Sequence, residues 1–557
     1  MRDLIKSGMC EKIFLVGFFF TILTVTPYSV TDPINLPKMS VLGVLSFTLI
    51  GTCMNRRSLA QMKKQKLLII LTGLFVFQGL LILVLSGRSI SQGLYGTSGR
   101  NTAFLTYLSL LLVLFTISQS SSALFIKNFL TVFFMIGVIL LVYGLLQYFG
   151  LEPFPYVNTY ESNVFGTFGN PNFQSAFMGI FGALLFALLF DQKNSLSRRL
   201  ALILLLIGSV YGVYITNSWQ GYFNLVAGIG IAVTLNLYRI DKTKLGNLFF
   251  VSGVVAGAAI LLGLLNQGPL AAVLDKASLT ARRLYWEAGV RMLVDHPLFG
   301  VGWDGFGDWY RRSRTKNANV FKSDLVSDSA HSVPLDVASG GGIPLLVLYL
   351  LLLALGVFSV IKVLKDKTHL SVNYIALVAV WVSYQAQSLI SINQIALGII
   401  GWSSLGLIIG YGTFTDNRSQ TPIHQSSKMP KSAPIKNLSF LTLFTPLIGF
   451  IVGCLVSLPP YIAASKFYEG LKTSDARVIN SNGYLKPLDL RRMIYTASIL
   501  EKNGYHKESF DIMKSATENF PDSYEAWSFL STLTNSTESD KTFAKSELVR
   551  LDPSQKP

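Results

Sequence analysis

Apolar runs of membrane length alternate with short polar breaks along most of this chain. The runs at 12–29, 41–54, 67–86, 102–119, 129–148, 173–190, 199–216, 221–238, 246–265, 342–361, 372–390, 395–412 and 439–458 predict 13 spanning helices. The second run is short and the twelfth contains several glycines, so both are candidates for half-buried or re-entrant segments. The first follows a short basic head, as a signal peptide would. It lacks a small-residue cleavage site and is expected to be retained. Two departures break the pattern: a polar loop at 266–341, and a tail at 460–557 where charge rises and the long apolar runs stop. The expected fold is all-α and polytopic. It comprises a membrane domain over 1–412 that holds the loop, a Ser, Lys, Pro and Gln-rich linker at 413–436, a last span at 437–459 and a helical domain at 460–557.

Composition agrees with this division. Of 557 residues, 51% are hydrophobic and 14% charged, against about 25% charged in a soluble domain. The net charge of +17 would fit nucleic acid, but its placement does not. Basic residues collect in alternate short loops: Arg56, Arg57, Lys63, Lys64 and Lys66; Lys127; Lys193, Arg198 and Arg199; Arg239, Lys242 and Lys244; Lys362, Lys365 and Lys367; Arg418, Lys428, Lys431 and Lys436. Cytoplasmic loops carry such an excess. The alternation puts the N-terminus and the 413–436 linker in the cytoplasm, and the 266–341 loop and the tail outside. One miscounted span would reverse the sidedness beyond it. The three cysteines, Cys10, Cys53 and Cys454, all fall outside the loop and tail, which excludes a disulfide scaffold, a thiol nucleophile and a thiolate metal site there.

The tail reads as helix pairs. Helical patterns at 488–502 and 506–519 flank Asn503-Gly504, and Pro487, Pro521 and Pro553 recur at intervals of 34 and 32 residues. This spacing is near the period of a tetratricopeptide repeat, with Ala497, Gly504, Ala516, Pro521 and Trp527 as its small, turning and bulky positions. A short array of this kind is expected to pack on the membrane domain or dock an envelope protein. An ordinary helical hairpin is the plainer alternative.

Uncharged polar residues gather at predicted outer ends. Tyr160 to Asn172 forms a shaped turn before the sixth span, with Asn170 as a helix cap and Asn172 and Gln174 continuing a polar row. Ser218 and Gln220 precede the eighth span, and Gln385, Gln387, Ser388, Asn393 and Gln394 lie where spans eleven and twelve meet. Buried amides are unfavourable unless hydrogen-bonded, so these form either a bonded cluster or a wet cleft that meets substrate.

The loop holds the reactive side chains. Arg282 and Arg283 can grip phosphate oxygens through bidentate, charge-assisted bonds, or sit among lipid headgroups. Trp286 lies beside them, and Glu287 can pair with an arginine or receive a proton. Trp303, Phe306, Trp309 and Tyr310 suit either sugar stacking or an interfacial belt. Arg311, Arg312, Arg314 and Lys316 form an outer basic run that fits attraction of an anionic lipid-linked substrate, or simply a solvated face. His331, one of five histidines, stands after Asp328 and has the titration range of a general base, with Asp328 placed to orient it. No second histidine or cysteine lies at metal-ligand spacing, so no metal or other cofactor is expected.

Several of these segments carry a family likeness. Gly166-Thr167-Phe168-Gly169-Asn170-Pro171-Asn172, Arg283-Leu284-Tyr285-Trp286, His296-Pro297-Leu298-Phe299-Gly300-Val301-Gly302, and His331 followed after ten residues by Gly342 together resemble the O-antigen ligase and polymerase superfamily, over residues 40–412. The resemblance implies a GT-C-like helical membrane glycosyltransferase. Such an enzyme moves a glycan from an undecaprenyl-diphosphate carrier to an acceptor hydroxyl of a lipid, protein or glycan, at the outer face of the bacterial cytoplasmic membrane. It uses neither metal nor nucleotide sugar. A polymerase joining lipid-linked repeat units is the alternative within the family; a transporter and a non-catalytic envelope scaffold are alternatives outside it. The resemblance places a diphosphate clamp at Arg283, or at Arg282, and an acceptor-activating or charge-stabilising role at His331. Trp219 departs from the pattern, since many members carry arginine after the serine. The missing phosphate contact would then come from elsewhere, with Arg311 and Arg312 as candidates.

Overall fold

The computed structural model describes residues 8–53, 65–152, 164–274, 277–322, 324–415 and 440–555. Arg56, Arg57, Lys63, Lys64, Tyr160 to Asn163 and residues 416–439, which include most of the 413–436 linker, lie outside the described residues. Every regular element among the described residues is a helix. Each of the 13 expected spans coincides with one, from Met9–Leu23 to Phe440–Ser457. Among the described residues eight helices are long and apolar enough to cross a membrane, or nine if the bent pair at Phe444–Lys472 is one span. The shortfall has visible causes. Met9–Leu23 and Phe104–Ser118 have only 15 residues each, and Asn35–Thr52 carries Lys38. Val372–Ile390 carries two glutamines.

The bundle is layered by burial. Ile395–Thr413 and Pro171–Leu188 form its centre and are buried along nearly their whole length. In Thr243–Leu264 only Gly246, Gly263 and Leu264 are buried, and Leu248, Val251 and Val255 are exposed along it. An apolar face of this size would be an aggregation hazard in water and is a lipid contact in a membrane.

The polar loop is itself folded. It contains the helices Ala277–Asp295, Phe306–Ser313 and Lys316–Phe321, and it returns through His331 into Val333–Lys365. That last helix kinks at Gly342, whose φ is 75°. A Cβ there would lie 2.6 Å from the Pro297 carbonyl oxygen, and Ile343 N donates to the same oxygen at 2.8 Å. Gly300 (φ 60°) packs against Ser339 and Gly340 in the same way, and Val301 N donates to Ser339 O at 2.8 Å. The turn 296–302 is therefore clamped onto the start of the tenth span, and both glycines are needed because backbone meets backbone. A second turn, 86–102, is tied to the loop by the ion pairs Arg88–Asp308 and Arg100–Asp328, each at 2.7 Å.

Consecutive helix pairs, Leu490–Lys502 with His506–Asn519 and Tyr524–Thr532 with Glu538–Leu551, build the tail. They share one core around Met493, Ile512, Met513, Ala516 and Trp527. The tail packs on the loop through its last residues. Arg314 pairs with Asp552 at 2.7 Å, with side chains 0% and 1% exposed, and Arg312 pairs with Asp522 at 2.9 Å. The loop and the tail therefore lie on the same side of the membrane.

Candidate functional site

Helix Ala277–Asp295 has apolar residues Leu284, Ala288 and Met292 on its buried face, and this fixes its rotation. Arg282 consequently turns toward the membrane bundle and Arg283 away from it. With the Gln220 amide turned to satisfy its neighbours, its oxygen accepts from Arg282 Nη2 at 2.9 Å and its nitrogen reaches the Asn172 carbonyl at 3.2 Å. In the other orientation Gln220 accepts from Gln387 Nε2 at 3.1 Å. Ser218 Oγ donates to Asn172 Oδ1 at 2.7 Å, and Asn224 donates to Gln387 at 3.3 Å. Amides from three separate parts of the chain thus converge beside one guanidinium. Burial lowers the Arg282 pKa, with Tyr285 opposing the shift. A guanidinium is not deprotonated in proteins, so Arg282 is a partly desolvated cation suited to an anion.

One turn further along, Tyr285 lies against the ring of His331, with centroids 5.2 Å apart. Tyr285 in turn packs edge-on to Tyr310 at 5.5 Å. His331 has φ 53°, a left-handed conformation uncommon for a side-chain-bearing residue and typical of strained functional positions. Its backbone is held by a relay. His331 N donates to Ser329 Oγ at 2.9 Å, Ser329 Oγ donates to Asp336 Oδ2 at 2.8 Å, and Ala330 N donates to Asp336 Oδ1 at 2.7 Å.

Nδ1 of His331 stands 3.2 Å from the Ser329 carbonyl oxygen. A carbonyl only accepts, so Nδ1 carries the proton in the neutral ring and Nε2 keeps its lone pair. Burial, then the positive charges of Arg282 and Arg100, lower the His331 pKa to about 4, against smaller upward pulls from Ser329 and Asp328. The ring is therefore neutral near pH 7. It is poised to accept a proton at Nε2 rather than to stabilise charge as an imidazolium. Asp328 is engaged with Arg100 instead of orienting the ring. Burial raises its pKa, but Arg100 and then His331 more than offset this, and it stays below the usual carboxylate range.

The other expected site residues divide by location. Arg283 donates to Thr280 Oγ1 at 2.7 Å, and exposed Glu287 accepts from Thr315 at 3.1 Å, so both sit on the far side of the helix from Gln220. Trp286 is half-buried, with its indole nitrogen unbonded among the described residues. Four of the candidate site residues have structural roles in the fold. Tyr310 is 0% exposed and sits behind Tyr285. Gln174 is buried and bonds Leu140 O at 3.1 Å. Asn170 caps helix Pro171–Leu188, and Gly342 forms the kink. Trp303 and Phe306 are buried as well, which removes them from both sugar stacking and a membrane belt.

The basic run is also committed. Arg311 lies over Tyr524 at 4.1 Å and reaches Asp552 at 3.4 Å; Arg312 lies over Trp309 at 3.8 Å and pairs with Asp522. These arginines join the tail to the loop and do not form an open patch for an anionic lipid. Trp219 is exposed and lies near Tyr222.

Sequence reasoning missed Arg100, Ser327, Ser329 and Asp336, which surround His331. The available signal was that Arg88 and Arg100 are the only charged residues between Ser86 and Thr102, on a predicted outer turn. Among the described residues no three His, Cys, Asp or Glu side chains group as a metal site.

No curated protein is similar enough to this chain to count as a match. Residues 203–350 match the family model described as O-antigen ligase, a stretch that contains Arg282, Arg283, His331 and Gly342. Over that segment the chain is similar to the O-antigen ligase family.

Proposed function

We propose that the chain transfers a glycan from an undecaprenyl-diphosphate carrier to an acceptor hydroxyl at the outer face of the cytoplasmic membrane, as a ligase. The observation that carries this reading is the meeting of a desolvated cation, Arg282, with a neutral imidazole, His331, at one polar rim of an apolar bundle. A lipid diphosphate needs such a place: its tail in the bilayer, its phosphates on a cation, its sugar facing a base.

In this mechanism His331 Nε2 takes the proton of the acceptor hydroxyl as the oxygen attacks the anomeric carbon. The bond from that carbon to the diphosphate oxygen breaks, and the electron pair leaves with undecaprenyl diphosphate. Arg282, held by Gln220, stabilises the charge that develops there. A single displacement inverts the anomeric centre. The loop and the tail face outward in this reading, on the strength of the basic residues in alternate loops and of the contacts that put the two on one side.

The test is transfer by purified full-length protein given undecaprenyl-diphosphate-linked glycan, with and without a second acceptor. Product only with the second acceptor supports a ligase. Growth of the lipid-linked chain alone makes the protein a polymerase. No transfer to any acceptor by a folded protein contradicts the reading.

A further inference from the structure

The tail does more than cover the loop. Its helix Leu490–Lys502 starts against the outer turn 86–102, where Ser91 Oγ donates to the Leu488 carbonyl at 3.1 Å. Arg492 is buried and donates to the carbonyls of Leu485 and Pro487, the latter at 2.8 Å, which locks the approach to the helix. Its neighbour Arg491 is exposed and points the other way. A Cβ at Gly99 would lie 2.8 Å from Arg491 Nη1, so the guanidinium rests on the residue before Arg100. Arg100 holds Asp328, three residues from His331, and Arg491 is close enough to act on Asp328 electrostatically.

Asp328 and Asp32, two carboxylates near Arg491, are engaged elsewhere. Asp328 is paired with Arg100, and Asp32 accepts from the backbone nitrogens of Ile34, Asn35 and Leu36. Among the described residues Arg491 has no ion-pair partner, so its donors remain available at the rim of the site. The buried Arg314–Asp552 pair and the Arg312–Asp522 pair fix the tail, so that this cation is presented by a docked domain.

We propose that Arg491, supplied by the C-terminal domain, binds an anionic group of the lipid-linked donor beside His331, so that the tail completes the substrate site. This rests on the glycosyltransferase reading for its substrate but not for its test. Phosphate of the carrier and an acidic sugar of the glycan offer the same chemistry to a guanidinium.

The experiment is direct binding to the full-length protein in lipid nanodiscs, comparing wild type with Arg491→Ala and Arg491→Lys. The three probes are undecaprenyl diphosphate alone, the same lipid bearing a neutral glycan, and the lipid bearing an acidic glycan. Arg491→Ala is expected to weaken binding about tenfold, with Arg491→Lys recovering part of it. A loss for all three probes identifies the carrier phosphate as the contact, and a loss for the acidic glycan alone identifies the sugar. Unchanged binding for all three, with unaltered thermal unfolding, overturns the proposal. A wild type that binds these lipids and transfers nothing would refute the glycosyltransferase reading and leave the Arg491 result standing.

Discussion

Nδ1 of His331 faces the carbonyl oxygen of Ser329 at 3.2 Å, and this contact fixes which ring nitrogen is free to react. It leaves Nε2 with the ring's free lone pair. The left-handed backbone at His331 directs the ring toward Tyr285, and the Ser329–Asp336 relay holds that backbone.

Replacing His331 should therefore separate chemistry from folding. Asparagine tolerates positive φ and offers no base. His331→Asn is expected to reduce kcat by about 10²–10⁴-fold while leaving thermal unfolding unchanged. Single-turnover kinetics and a melting curve on the same preparation check both halves.

The pH dependence follows from the neutral ring. A base with a lowered pKa is active above that pKa and is lost as pH falls through it. With the His331 pKa near 4, kcat/KM should hold level from neutral pH down to about 5 and fall with a midpoint near 4. An imidazolium acting as a charge stabiliser would give the opposite slope, with activity falling as pH rises.

Arg282 and Arg283 should differ in their effects. Arg282 stands against Gln220 and acts on His331, whereas Arg283 bonds Thr280. Loss of one charge-assisted contact corresponds to about 1.5–3 kcal/mol, or roughly 10–100-fold in kcat/KM. That loss is expected for Arg282→Ala, and no more than a few-fold change for Arg283→Ala. Steady-state kinetics with varied donor would show it.

The docking of the tail can be broken at one buried pair. Asp552→Ala leaves the Arg314 guanidinium without its counter-charge in a buried setting, a defect of about 3–5 kcal/mol. Protease cleavage within the tail should accelerate in this variant. Arg314→Leu with Asp552→Leu, which removes both charges, should restore most of the protection.

The spans were legible because apolar length and helical periodicity are properties of contiguous sequence. The convergence of Asn172, Ser218, Gln220 and Gln387 was legible only as three polar clusters, since nothing local sets which helices adjoin. Choosing between Arg282 and Arg283 required the helix rotation. Consecutive residues point about 100° apart, and only packing of Leu284, Ala288 and Met292 fixes which one faces the bundle. The run Arg311, Arg312 and Arg314 misled for a related reason. Its partners Asp522 and Asp552 lie more than 200 residues along the chain, and a charge pattern does not reveal a distant counter-charge. Gly342 carried a clear signal in its spacing from His331. In the structure that position is the kink of helix Val333–Lys365.

The central claim is that Arg282 and His331 share one substrate. A structure of the full-length protein with undecaprenyl diphosphate tests it most directly. The account predicts phosphate oxygens within hydrogen-bonding distance of the Arg282 guanidinium, with His331 Nε2 facing the sugar-bearing end. Phosphates bound at the Lys127 end of the bundle, or anywhere out of reach of Arg282, would contradict it.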